Sequence, residues 1–141
     1  MKRVNRKEIL DYVTYEEERE KLRKKIMKIK EVRRIELAGV LSFLFENTET
    51  VRYQIQEMIR VERIVKETDI QHEINTYNEL LGDYGELGCT LLIEIDNSDE
   101  REEKLNKWID LPQHLYLSLE DESRIRASFD ERQIGDSRLS S

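Results

Sequence analysis

Two amphipathic periods in close succession constrain this chain more than any other feature. At about 100° per residue, Val51, Ile55, Met58, Val61 and Val65 fall on one stripe, and Ile70, Ile74, Tyr77 and Leu81 fall on a second. Each reads as a helix. Thr68 or Asp69 caps the second, and Gly82 stops it. The first stripe is flawed, because Gln54 and Glu62 lie inside it. Arg52, Gln56, Arg60 and Arg63 form the opposite face, with Glu57 at its edge. A carboxylate inside an apolar stripe needs an ion-pair partner, hydrogen bonds or a proton. The spacing therefore predicts a buried Glu62, held by Arg33 or Arg34. The functional alternative is a general acid or base with a raised pKa.

The remaining segments alternate between helix and strand periods. Tyr15, Leu22, Ile26 and Ile29 predict a helix over about residues 15–30, opened by a Thr14/Glu17 capping box. A shorter helix is expected ahead of it near Asn5–Asp11, where Asn5 and Glu8 have similar cap spacing. In "RRIELAGVLSFLFEN" the period becomes two: Ile35 and Leu37 alternate with Arg34 and Glu36, Ala38-Gly39 breaks the run, and Leu41, Phe43 and Phe45 line one face. That is a hairpin, or one strand bent at Gly39. "CTLLIEI" is nearly continuous in apolar residues and predicts a central strand covered on both faces, with Cys89 an inert small residue inside it. Asp99 and Glu102 open a short helix that ends before Leu111-Pro112. "HLYLSL" and "RIRASF" predict a hairpin with Ile125, Ala127 and Phe129 inward. The order predicts an α+β fold: a mixed or antiparallel sheet with about four helices packed mainly on one face. One domain is expected over residues 1–134, with a disordered tail over 135–141.

Charge narrows the function classes. The net charge of −7 conceals 13 basic and 7 acidic residues among the first 34, against 11 and 24 in the remainder. A basic head on an acidic body predicts contact between the two, within one molecule or across a dimer. The run "KLRKKIMKIKEVRR" could bind phosphate backbones. Its charges, however, lie on the polar side of an amphipathic helix without interleaved aromatics, so nucleic acid is the weaker expectation. No apolar run is long enough for a membrane span, and the basic N-terminus lacks the apolar core of a signal peptide, so a cytoplasmic protein is expected.

The string "YQIQEMIRVERI", followed by "YNELL" and "LLIEI" and preceded by "RRIEL…LFEN", resembles an uncharacterised bacterial family, domain of unknown function 3501. The similarity runs from about residue 5 to the end. The resemblance implies no established activity. It implies a neighbourhood of rubrerythrin-like and iron–sulfur oxidoreductase-like proteins, and hence a redox or oxidative-stress setting. It also implies a further apolar strand beyond "SRLSS", so that this chain reads as a short form or fragment with one sheet edge unpaired.

Little in the chain signals catalysis. Gln54, Glu57, Arg60, Glu62 and Arg63 are the candidate binding residues, all in the 51–65 segment. Glu57 and Arg60, three apart, have the spacing of an ordinary surface pair. The di-iron pattern Glu-x-x-His is absent, and Asp69-x-x-His72 is its nearest equivalent, with His72 pointing away from its apolar stripe. His114 has no evident partner. "GDYGELG" precedes a strand rather than a helix and so is a turn, not a phosphate cradle. The expectation is a non-enzymatic accessory protein without cofactor or metal, working with a protein partner or as a homo-oligomer. Small-molecule binding by helix 51–65 and nucleic-acid binding by the first helix are the alternatives.

Overall fold

The computed structural model describes residues 1–135 and 139, and the chain divides into two units, Met1–Glu94 and Ile95–Ser141. The expected tail over 135–141 lies outside the described residues, except for Gly135 and Leu139.

The first unit opens with a 3-10 turn, Arg6–Glu8, closed by the expected reciprocal cap: Asn5 accepts from the Lys7 N–H and Glu8 accepts from the Asn5 N–H. Helix α1 follows, Tyr12–Glu31. It starts three residues earlier than its apolar spacing predicts. Asp11, not Thr14, is the cap, accepting from the Val13 and Thr14 N–H groups at 3.1 and 3.0 Å, while the Thr14 hydroxyl donates to the same carboxylate. A charged acceptor satisfies the free N–H groups better than a hydroxyl does.

Strands β1 (Arg34–Leu37) and β2 (Leu41–Phe45) form the hairpin, turning through Ala38 and Gly39 at φ of 54° and 70°. Helices α2 (Thr48–Glu62) and α3 (Glu67–Asn78) follow, then β3 (Cys89–Ile93). The sheet is antiparallel in the order β1-β2-β3. The expectation of a central β3 is therefore corrected: β2 is central, β3 is an edge, and Cys89 and Leu92 on it are exposed. Gly88 is what brings this strand in, because a Cβ there would lie 1.8 Å from the Leu80 carbonyl oxygen.

The sheet is turned opposite to its apolar pattern. Ser42, Leu44 and Glu46 are the buried side of β2, whereas Leu41, Phe43 and Phe45, which line the more apolar face, are only half-buried. On the same face as those three, Ile35 and Leu37 of β1 are exposed. Glu46 can take the inner face because each of two threonines bonds it there, as described below.

The core lies instead between α2, α3 and the N-terminal segment: Val4, Ile9, Val51, Ile55, Ile59, Ile70, Ile74 and Leu81. The α3 stripe matches its expectation. The α2 stripe does not. Its buried apolar positions are Val51, Ile55 and Ile59, four apart, with Met58 half-buried and Val61 and Val65 exposed. Two buried amides pin the N-terminal segment onto these helices. Gln56 accepts from the Leu10 N–H at 2.6 Å and donates to the Leu10 carbonyl at 3.0 Å. Asn78 accepts from the Val4 N–H at 2.8 Å and donates to its carbonyl at 3.0 Å. Each amide does for an isolated backbone residue what a neighbouring strand would do. Asn78→Ala orphans both polar groups of buried Val4 and is expected to lower unfolding stability by about 2 kcal/mol, read by urea denaturation.

The second unit holds α4 (Ser98–Lys107) and the hairpin β4–β5 (Tyr116–Ser118 with Arg124–Arg126). Asn97 caps α4 by accepting from the Glu100 N–H at 2.9 Å, displacing the Asp99/Glu102 box expected from spacing. The hairpin is present, but Ile125, Ala127 and Phe129 are exposed rather than inward. Four helices with small antiparallel sheets make the fold α+β, as the element order predicts.

Candidate functional site

The densest arrangement of ionisable groups lies where α1 crosses α2. Tyr15 and Arg19 are one turn apart on α1, so both point at the same place. Glu57 of α2 meets them. Arg19 grips the carboxylate with two bonds, Nε at 2.8 Å and Nη2 at 3.1 Å, and the Tyr15 hydroxyl donates at 2.7 Å. Arg60, one turn along α2, adds a looser contact at 3.5 Å and reaches Glu16 at 3.6 Å. Tyr15 is fully buried and the Glu57 side chain is 17% exposed. Burial pushes the Glu57 carboxyl up. The hydrogen bonds from Arg19 and Tyr15 and the charges of Arg19 and Arg60 outweigh it and hold the pKa at about 2. Burial and the same carboxylate push the Tyr15 hydroxyl well above the tyrosine range. The group is closed: a carboxylate fixed in its ionised form, with donors on both oxygens.

A second carboxylate is hidden at the end of β2. Glu46 accepts from the Thr50 hydroxyl of α2 and from the Thr90 hydroxyl of β3 at 2.7 Å. Arg33 clasps the adjoining backbone, donating to the Phe45 carbonyl at 2.7 Å. Lys30 stands nearby with its ammonium 5.2 Å from the centroid of the Tyr53 ring. Desolvation lowers its pKa against the opposing pull of Glu46. Beside this end of α1 an open groove of about 580 Å³ is lined by Met27, Lys28, Lys30, Glu31, Arg34 and Glu36.

Of the five candidate residues, Glu57 and Arg60 are brought together, and they are more than a surface pair because α1 supplies the principal guanidinium. Gln54 is half-buried, and its side chain makes no hydrogen bond among the described residues. The expectation of a buried Glu62 is corrected. Helix α2 ends there, Arg63 caps it in the left-handed region at φ 50°, and both residues are exposed. Neither Arg33 nor Arg34 approaches Glu62. Since Glu62 and Val61 face water, Glu62→Gln and Val61→Ala are each expected to change stability by less than about 0.5 kcal/mol in the same urea titration.

The spacing of α2 could not reveal Tyr15, Arg19, Glu46 or Gln56 as polar anchors. Only the alternation Ser42-Leu44-Glu46 offered a signal, and it requires choosing which face of β2 is inner. His72 is exposed. His114, expected to lack a partner, lies 3.0 Å from Asp110. Among the described residues, no group of three or more His, Cys, Asp or Glu side chains is placed to hold a metal ion. Cys89 is exposed, and desolvation together with the Glu46 carboxylate keeps its thiol above the ordinary range, which disfavours the reactive thiolate. No helix among the described residues is long and apolar enough to cross a membrane.

An α+β chain with a helical core beside an antiparallel sheet, its charged side chains tied between helices, is the class these observations define. Within that class the chain belongs to the protein family of unknown function DUF3501, whose model matches residues 3–141. It is also similar to a novel protein of unknown function from Burkholderia pseudomallei, known from a crystal structure. That protein shares 30% identity with a TM-score of 0.88, and the match covers 93% of this chain and 68% of the other. No curated protein matches.

Proposed function

We propose that this chain is a non-enzymatic accessory protein of the cytoplasm that acts by binding another protein in a redox or oxidative-stress system. The carrying observation is the state of Glu57. A general acid or base at neutral pH requires a carboxyl pKa moved up toward 7. This one is moved down to about 2, with Arg19 and Tyr15 occupying the oxygens that a substrate would need. Small-molecule chemistry on α2 has less support, since Glu62 and Arg63 are exposed at the end of the helix and do not join Glu57. Nucleic-acid binding through α1 has less as well, because Arg19 and Lys25 are engaged by Glu57 and Glu49 of α2. That pairing fulfils the contact expected between the basic head and the acidic body.

The test is affinity isolation of the tagged chain from a native extract, followed by reconstitution with the purified partner. Retention of a rubrerythrin-like or iron–sulfur protein in near-stoichiometric amount, reproduced by the two purified proteins, is expected. Failure to retain any such protein, or turnover of a small molecule by the purified chain that Glu57→Gln abolishes, overturns the reading.

A further inference from the structure

Strand β1 is an edge of the three-stranded sheet, and all four of its residues are exposed. An open edge of this kind is a template for another strand. Its hydrogen-bonding direction follows from the ladder. The Phe45 N–H donates to the Arg33 carbonyl directly opposite it, which makes that a hydrogen-bonded pair. Such pairs alternate along an antiparallel ladder. Arg33, Ile35 and Leu37 therefore aim their backbone groups at β2, while Arg34 and Glu36 aim theirs at the open edge.

We infer that β1 pairs antiparallel with β1 of a second copy about a twofold axis at Ile35, joining two three-stranded sheets into one of six. In this register Arg34 stands opposite the partner's Glu36 and Glu36 opposite the partner's Arg34. The residues whose N–H and C=O groups point outward thus face each other, and both pairs carry opposite charges. Shifting the axis to Glu36 or to Arg34 keeps the hydrogen bonds but places like charges face to face, which is unfavourable. Charge selects one register from three. On the outer face Ile35 meets the partner's Ile35, extending a surface on which Ile35 and Leu37 are 50% and 53% exposed. On the other face the groove lined by Lys28 and Glu31 has room for the partner's Arg34 and Glu36 side chains. The opposite edge, β3, carries no charge to select a register, and three of its five residues are half-buried. The pairing is separate from the accessory reading and holds whether or not a different protein binds.

Sedimentation equilibrium of the full chain over about 1 to 500 μM brackets the affinity of an interface below standard size. A reversible dimer is expected. Glu36→Pro removes one outward N–H and keeps the hairpin ladder, because Ile35 is already extended as a residue before proline must be. Glu36→Arg sets arginines against each other. Each is expected to weaken the dimer at least about tenfold, with circular dichroism confirming that the chain remains folded. The double exchange Arg34→Glu/Glu36→Arg is expected to restore it. In a Cys89→Ser background, Ile35→Cys is expected to oxidise to a disulfide-linked dimer, since cysteines opposed at a non-hydrogen-bonded pair are about 4.5 Å apart at Cα. A monomer throughout the range overturns the inference. So does a dimer indifferent to both Glu36 variants, or a double exchange that restores nothing.

Discussion

Glu57→Ala is expected to lower the unfolding free energy at pH 7 by on the order of 3 kcal/mol, because it leaves the Arg19 guanidinium and the buried Tyr15 hydroxyl without their acceptor. Glu57→Gln keeps an acceptor and loses the charge, so about half that loss is expected. The pH dependence identifies the cause. The folded pKa of about 2 lies below the ordinary 4.5 of the unfolded chain. Between those values the unfolded state binds more protons, so stability rises with pH there. The contribution is complete above about pH 4.5 and is lost as the pH falls toward 2. The difference between wild type and Glu57→Ala, followed by urea denaturation from pH 7 downward, is expected to shrink over that window. A difference that stays constant to pH 2.5 would show that the loss reflects packing, not charge.

Ile55→Ala is expected to cost about 3–4 kcal/mol. Ile55 is fully buried among Val51, Ile59, Ile70 and Ile74, on the face of α2 that meets α3 and the N-terminal segment. The removed methylenes leave a cavity that neighbours on two helices cannot close. Set against the near-neutral Val61→Ala, this tests which stripe of α2 is inward. If Val61→Ala proves the more costly, the helix is rotated from the orientation described.

Both results bear on what was legible from the residues alone. Helical period, strand alternation and the α+β class were legible, because they follow from the covalent pattern of apolar and polar side chains within a few residues. The Asn5/Glu8 cap spacing and the α3 stripe are of this kind, and the 34–45 hairpin is one of the two readings that the alternation allows. So is the pairing of basic α1 with acidic partners. The family membership was legible too, from the "YQIQEMIRVERI" string and its flanks.

The faces were not legible. Residues 51–65 admit two stripes, and the one containing Glu62 contains more apolar residues. What chose the other was the early end of the helix at Glu62 and the packing of α3 and residues 4–10 against Val51, Ile55 and Ile59. The carboxylate that needed a guanidinium was accordingly Glu57, and its partner came from a helix 38 residues away in the chain. The sheet shows the same division. Alternation in β2 is written in the sequence, but Thr50 and Thr90 made Glu46 the buried end, and Thr90, 44 residues along the chain, is a neighbour of Glu46 only after folding. Local pattern specifies which elements form; the direction each one faces is a cooperative choice, made where distant side chains satisfy one another's charges and hydrogen bonds.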